Sequence, residues 1–235
     1  MPCPQINVTE PGNYKRDYYY LDTLKKLLGE RADTLKWGGI LFSDKYPSTN
    51  KELYEVTGVI LRETMEDHRR MGECVSYLIF MPGSNEIERI CDTIRLMVGG
   101  DSAKDVEIIQ VYRNSLNSEV TNKLEEVNHR KFKVIVATNI AESSITVLGV
   151  KYVIDFCLAK ENRFDLRSKM ENLELVWTSK ASCRQRAGRT GRVCDGVVIR
   201  MVEEKFYNNL QEYSTPEIQR SSLDKLVLRI KLLHE

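Results

Sequence analysis

Apolar residues in this chain follow two different rhythms. Over 17–31, DYYYLDTLKKLLGER, they recur at Tyr18, Leu21, Leu24 and Leu28, a spacing that predicts a helix. A second helix is predicted to follow Asn50, through KELYEVTGVILRETMEDHRRMG, and to stop at Gly72. Residues 37–47 read as a loop or short strand. The first fourteen residues, with Pro2, Pro4, Pro11, Gly12 and Asn13, read as an irregular lead-in. From Val75 the texture changes. VSYLIFM, VEIIQVY, FKVIVAT, VKYVIDF and GVVIRMV are short β-branched apolar runs of the kind that form buried strands. Helical patterns at 84–98, 118–129 and 180–188 lie between several of them, the first with Asn85 and Glu88 spaced as a capping box.

Alternating strands and helices imply right-handed crossovers, hence an α/β fold with a parallel sheet and helices on both faces. Ligands in such sheets bind at the carboxyl ends of the strands. Two stretches break the alternation. Residues 162–174 are polar and read as a hairpin or an extended loop. TPEIQRSSLDKLVLRIKLLHE places Pro216 at a helix start and leucines at 223, 226, 228, 232 and 233, which reads as a lid over the sheet or the stub of a further domain.

Composition narrows the function classes. Of 235 residues, 42% are hydrophobic and 29% charged, the balance of a soluble globular protein. A net charge of +1 gives no global basic field, so any anion site must be local. The six cysteines include no CxxC pair, and the three histidines are far apart; no zinc-ligand spacing results, and the expectation is reduced thiols and no metal. No apolar run reaches membrane-spanning length, and the N-terminus lacks a signal-peptide profile, so the expected setting is intracellular, without a membrane partner.

Two loops carry candidate chemistry. After the strand FKVIVA comes TNIAESSIT, 138–146, where hydroxyl, amide and carboxylate groups could hold a phosphodiester and a nucleotide sugar, or could equally cap a helix. The second is CRQRAGRTGRV, 183–193. Guanidinium groups keep their charge and bind phosphate in a bidentate fork. Arg189 and Arg192 are three apart, so on a helix both point one way, and Gly188 and Gly191 keep the backbone slim. Gln185 offers both a donor and an acceptor, suited to placing a water beside a phosphate.

LIFMPGSNEIE (78–88), ATNIAESSIT (137–146) and QRAGRTGR (185–192) resemble motifs IV, V and VI of the second RecA-like lobe of DEAH-box RNA helicases, in order and approximate spacing. The resemblance covers about 75–233, and the VIDFCL and LELVWTSKASCRQRAGR stretches look most like the Spindle-E branch, the tudor-domain helicases of the piRNA pathway. It implies a RecA-like sheet over 74–215, an inter-lobe connection and helical extension over 1–73, and over 216–235 a helix closing the lobe and leading to a further domain. By position, Arg189 and Arg192 would be arginine fingers on the β- and γ-phosphates, and Gln185 would orient the water or the γ-phosphate. Arg186 would form salt bridges within the lobe. Thr138 and Asn139 would contact RNA backbone, as would Gly83 and Arg113-Asn114-Ser115, while Glu142 and Ser144 would couple that grip to the nucleotide. The implied cofactor is ATP with Mg2+. The implied partners are single-stranded RNA, the first RecA-like lobe and piRNA-pathway proteins, in the cytoplasm and at perinuclear germ granules.

Neither a GxxxxGK[ST] loop nor a DEAH box occurs in the sequence, so by this resemblance the chain supplies half of an ATP site and is inactive alone. Three positions depart from the family: Arg113 where relatives often have histidine or glycine, Leu124-Glu125 where an aromatic stacks on adenine, and Leu148 where an acidic residue lies near the ribose. These departures imply weaker or less base-specific nucleotide binding. They also keep open an RNA-clamping or scaffolding role with little hydrolysis.

Overall fold

A computed structural model of the chain describes residues 14–28, 42–43, 45–98, 104–126, 130–143, 145–165 and 167–233. Its centre is a six-stranded, wholly parallel sheet in the order β1 (Arg16–Tyr20), β8 (Gly196–Arg200), β5 (Val150–Asp155), β2 (Ser76–Phe80), β4 (Phe132–Ala137), β3 (Val106–Val111). The five apolar runs form β2 (Ser76–Phe80), β3 (Val106–Val111), β4 (Phe132–Ala137), β5 (Val150–Asp155) and β8 (Gly196–Arg200). Alternate residues of each strand face opposite sides, and the core divides accordingly. Tyr77 and Ile79 of β2 join a cluster with α2 (Lys51–Met71) and α3 (Ser84–Val98). Leu78 and Phe80 join a second cluster with Leu124 of α4 (Ser118–Glu125), Ala141 of α5 (Ile140–Ser143) and Ala187 of α6 (Lys180–Ala187).

The sixth strand corrects the helical reading of 17–31. Arg16–Tyr20 is a strand, β1, paired with β8 at the sheet edge, and the helix α1 covers only Leu21–Leu28. Three consecutive tyrosines are strong β-formers, and pairing with a partner strand overrides a four-residue periodicity. Arg16–Tyr20 therefore belongs to the same sheet as the five apolar strands. The boundaries of α2 follow the sequence signals. Gly72 takes φ +72°, and the N–H groups of Gly72 and Glu73 return to Arg69 O and His68 O at 3.0 Å each, a Schellman-type stop. The capping box at Asn85 and Glu88 does not form, because α3 starts at Ser84, its first bond running from Ile87 N–H to Gly83 O. In α4, Asn117 Oδ1 accepts from Val120 N–H at 2.8 Å; the helix stops at Glu125, short of the expected 129, because Glu126 turns to extended backbone (φ −73°, ψ 128°), and 127–129 lie outside the described residues.

The polar interruption is an antiparallel hairpin, β6 (Leu158–Asp165) and β7 (Met170–Trp177). After β8 come α7 (Glu204–Asn209), α8 (Glu217–Arg220) and α9 (Asp224–Leu233), whose Val227, Leu228, Ile230 and Leu232 are exposed. Among the described residues no helix is long and apolar enough to cross a membrane.

Candidate functional site

The arginine-rich stretch folds around one inward side chain. Ser179 caps α6, its Oγ accepting from Ser182 N–H. Arg186, two turns on, is 1% exposed. Its Nη1 donates to Asp155 Oδ1 at 2.7 Å, its Nε to Glu142 Oε2 at 3.2 Å, and both Nη atoms to Leu158 O at 3.3 Å. The guanidinium also lies 5.0 Å above the Phe80 ring centre. Burial alone would lower its pKa, but the Asp155 and Glu142 carboxylates outweigh burial and hold it above the ordinary value. Arg186 thus ties motif VI to the end of β5 and to motif V, the lobe-internal role expected of it. Ser182 Oγ adds a bond to the same Glu142 Oε2 at 2.7 Å.

Past Ala187 the helix stops, so Arg189 and Arg192 lie in the following turn and not on one helical face. Arg189 is buried, with Nη1 donating to Ile145 O at 2.7 Å and Nη2 to Glu142 O. Burial, and then the charge of Arg192, lower its pKa. Thr190 Oγ1 bonds Val150 O and Lys151 O at 2.8 and 2.9 Å, pinning the turn to the sheet. Gly191 has φ +70°, a backbone that L side chains rarely adopt. Arg192 is exposed, its Nε held by Gly188 O at 2.9 Å, and Gln185 is exposed one turn earlier. Gln185, Arg189, Arg192 and Glu142 line one open cleft of about 830 Å³, together with Arg184 and with Arg16 and Tyr18 from β1. Ser144 lies outside the described residues.

The other candidates lie at the carboxyl ends of β2, β4 and β3, which are neighbours in the sheet. Arg113 and Asn114 are exposed on the turn after β3. Ser115 is occupied within that turn: its Oγ accepts from Tyr112 N–H at 2.8 Å and lies within bonding distance of Tyr112 O and Gln110 O. It therefore shapes the loop that presents Arg113 and Asn114. Thr138 N–H bonds Val111 O at 3.0 Å, holding the two loops side by side, with Asn139 exposed beyond it. Gly83 is buried. A Cβ there would lie 2.6 Å from Lys160 Nζ and 2.7 Å from Glu86 Oε2, an ion pair closed at 2.9 Å. Lys160, on the hairpin, escaped the sequence reading because only the fold brings it against α3.

These motifs match a known family. Residues 57–194 correspond to the helicase conserved C-terminal domain, more than half of the chain. The chain belongs to the helicase C-terminal domain family. It is similar over nearly its whole length to the probable ATP-dependent RNA helicase spindle-E of Drosophila pseudoobscura pseudoobscura, 36% identical over 242 residues, 98% of this chain and 16% of that protein. The Aedes aegypti protein of the same name is 35% identical over 246 residues, 99% of this chain and 17% of its own. The chain thus spans about one-sixth of the length of these relatives. The crystal structure of the E. coli DExH-box NTPase HrpB superposes with a TM-score of 0.69 at 26% identity, covering 94% of this chain and 23% of that one. The six-stranded sheet is accordingly the RecA-like fold that the resemblance implied.

In this helicase C-terminal domain three donor side chains also converge beneath α6. One ligand atom each from Asp155, Cys157 and Cys183 lies within 4.8 Å of the others, all buried. The chemistry does not suit a cation. Asp155 already pairs with the Arg186 guanidinium, and burial pushes the Cys157 thiol well above its ordinary pKa. The cluster is a packed polar centre that no sequence spacing announced, since Cys183 comes from α6 and only the fold brings it to Asp155 and Cys157 at the end of β5.

Proposed function

We propose that this helicase C-terminal domain is the second motor lobe of an ATP-dependent RNA helicase, acting in piRNA-pathway transposon silencing in the cytoplasm and at perinuclear germ granules. The observation that carries the reading is the open cleft in which exposed Arg192 and Gln185 stand beside Arg189, with Glu142 joining motif V to motif VI. ATP and its Mg2+ would be held chiefly by the first lobe, which supplies the phosphate loop and acidic box. Arg192 meets the charge that builds on the terminal phosphoryl group, with Arg189 behind it, and Gln185 orients the attacking water. Arg113, Asn114, Thr138 and Asn139 take the RNA backbone, a grip with little sequence specificity. Ser115 shapes that grip and Gly83 backs it. A change in the cleft reaches the RNA loops through Glu142, four residues after Thr138. On this reading the isolated chain does not hydrolyse ATP.

The test is RNA-stimulated ATPase of the full-length protein against Arg192→Ala. Loss of about a thousandfold in kcat is expected for an arginine finger; equal rates for the two proteins would defeat the motor reading. One observation favours the second reading, an RNA clamp or scaffold with little hydrolysis. Leu124 is fully buried in the core and Glu125 is exposed, so neither offers a ring to adenine. The same assay, run as a nucleotide panel, separates a base-tolerant motor from a clamp.

A further inference from the structure

The family match begins at residue 57, yet the cleft has a wall from outside it. Strand β1 pairs Arg16 with Gly196 and Tyr18 with Val198. Tyr19 packs into the α2–α3 cluster, so by strand alternation Arg16 and Tyr18 face the α6 side. There Arg16 Nε donates to Thr190 O at 2.9 Å. Its side chain lies flat over Gly191, where a Cβ would sit 2.7 Å from both Arg16 Cγ and Nε. The end of the same turn is held twice more by Lys15, just before β1: Lys15 N–H donates to Asp195 Oδ1 at 2.9 Å, and Gly196 N–H donates to Lys15 O at 2.8 Å. Arg16 therefore grips the turn that carries Arg192.

The terminal nitrogens of Arg16 have another use. Among the described residues neither bonds a protein acceptor, although Arg16 lines the cleft. Of the other cleft arginines, Arg184 is paired with Glu212 at 2.5 Å and Arg189 with backbone carbonyls. Glu142, the one acid among the lining residues, is taken up by Ser182 and Arg186. Two cations, Arg16 and Arg192, thus face the same space with no carboxylate between them. Like charges so placed attract an anion, and planar guanidinium forks fit phosphoryl oxygens.

We propose that Arg16 is a third arginine of the nucleotide site: its Nε positions the Arg192 turn and its terminal N–H groups bind the outermost phosphate of a nucleoside triphosphate. This rests on the motor reading above. The test uses the full-length protein with saturating RNA, measuring ATP and ADP affinity, KM and kcat for Arg16→Gln, Arg16→Lys and Arg192→Ala. For Arg16→Gln, ATP affinity is expected to fall about tenfold with ADP affinity unchanged, and Arg16→Lys, which keeps the charge, to fall between it and the parent. Equal loss for ATP and ADP without rescue by lysine would reduce Arg16 to a structural tie and overturn the proposal. So would parental ATP affinity in Arg16→Gln alongside an impaired Arg192→Ala. An unimpaired Arg192→Ala would instead bring down the motor reading, and Arg16 with it.

Discussion

Arg186 shows how one residue type does two jobs within a single motif. Four arginines lie between residues 184 and 192, and the sequence treats them as equivalent charges. The fold turns Arg186 into the core and leaves Arg192 outside. A buried ion pair contributes little relative to an apolar pair, but breaking it strands a charge. Arg186→Ala leaves Asp155 buried without its partner and is expected to cost about 3–5 kcal/mol, read from the shift in a urea unfolding curve. Arg186→Met combined with Asp155→Leu and Glu142→Gln removes all three charges of the cluster and should recover most of that loss. If that triple variant is as unstable as the single one, the arginine's packing over Phe80, not its charge, holds α6 in place.

Among the elements, the five apolar strands were legible because a buried parallel strand needs apolar residues on both faces, and no other element of that length does. Gly72 marked a helix end for an equally local reason. Strand β1 was not legible. Its tyrosines fit a helical stripe as well as a strand, and what decides between them is β8, which lies 180 residues further along the chain. The site divides along the same line. The motif order placed Gln185, Arg189, Arg192 and Glu142, which the structure brings into one cleft, whereas Arg16 and Lys160 depend on contacts between distant elements. Helix packing offers a direct test. Gly58 of α2 faces α3 so closely that a Cβ would lie 2.3 Å from Met97 Sδ and 3.2 Å from its Cβ. Alanine in a helix gains about 1 kcal/mol over glycine, but a branched side chain here must part the two helices. Gly58→Val is expected to lower unfolding free energy by about 1–3 kcal/mol in a urea titration; no change would show that Met97 swings aside freely.

For the whole molecule, the closing strand matters more than its length implies. Without β1, strand β8 becomes a bare sheet edge, with Arg200 stripped of the Tyr20 hydroxyl it bonds at 2.7 Å. Deleting residues 1–20 is expected to lower the thermal midpoint by roughly 5–10 °C and to raise light scattering on heating; an unchanged midpoint would make β1 dispensable. The same strand imposes an order of assembly. Its residues leave the ribosome before those of β8, so the edge they join does not exist until about 180 more have been made, roughly 9 to 36 s at ordinary elongation rates. Throughout that interval Tyr18, Tyr19 and Tyr20 lack the strand they pair with. The arginine cleft therefore cannot form on a nascent chain that stops short of β8.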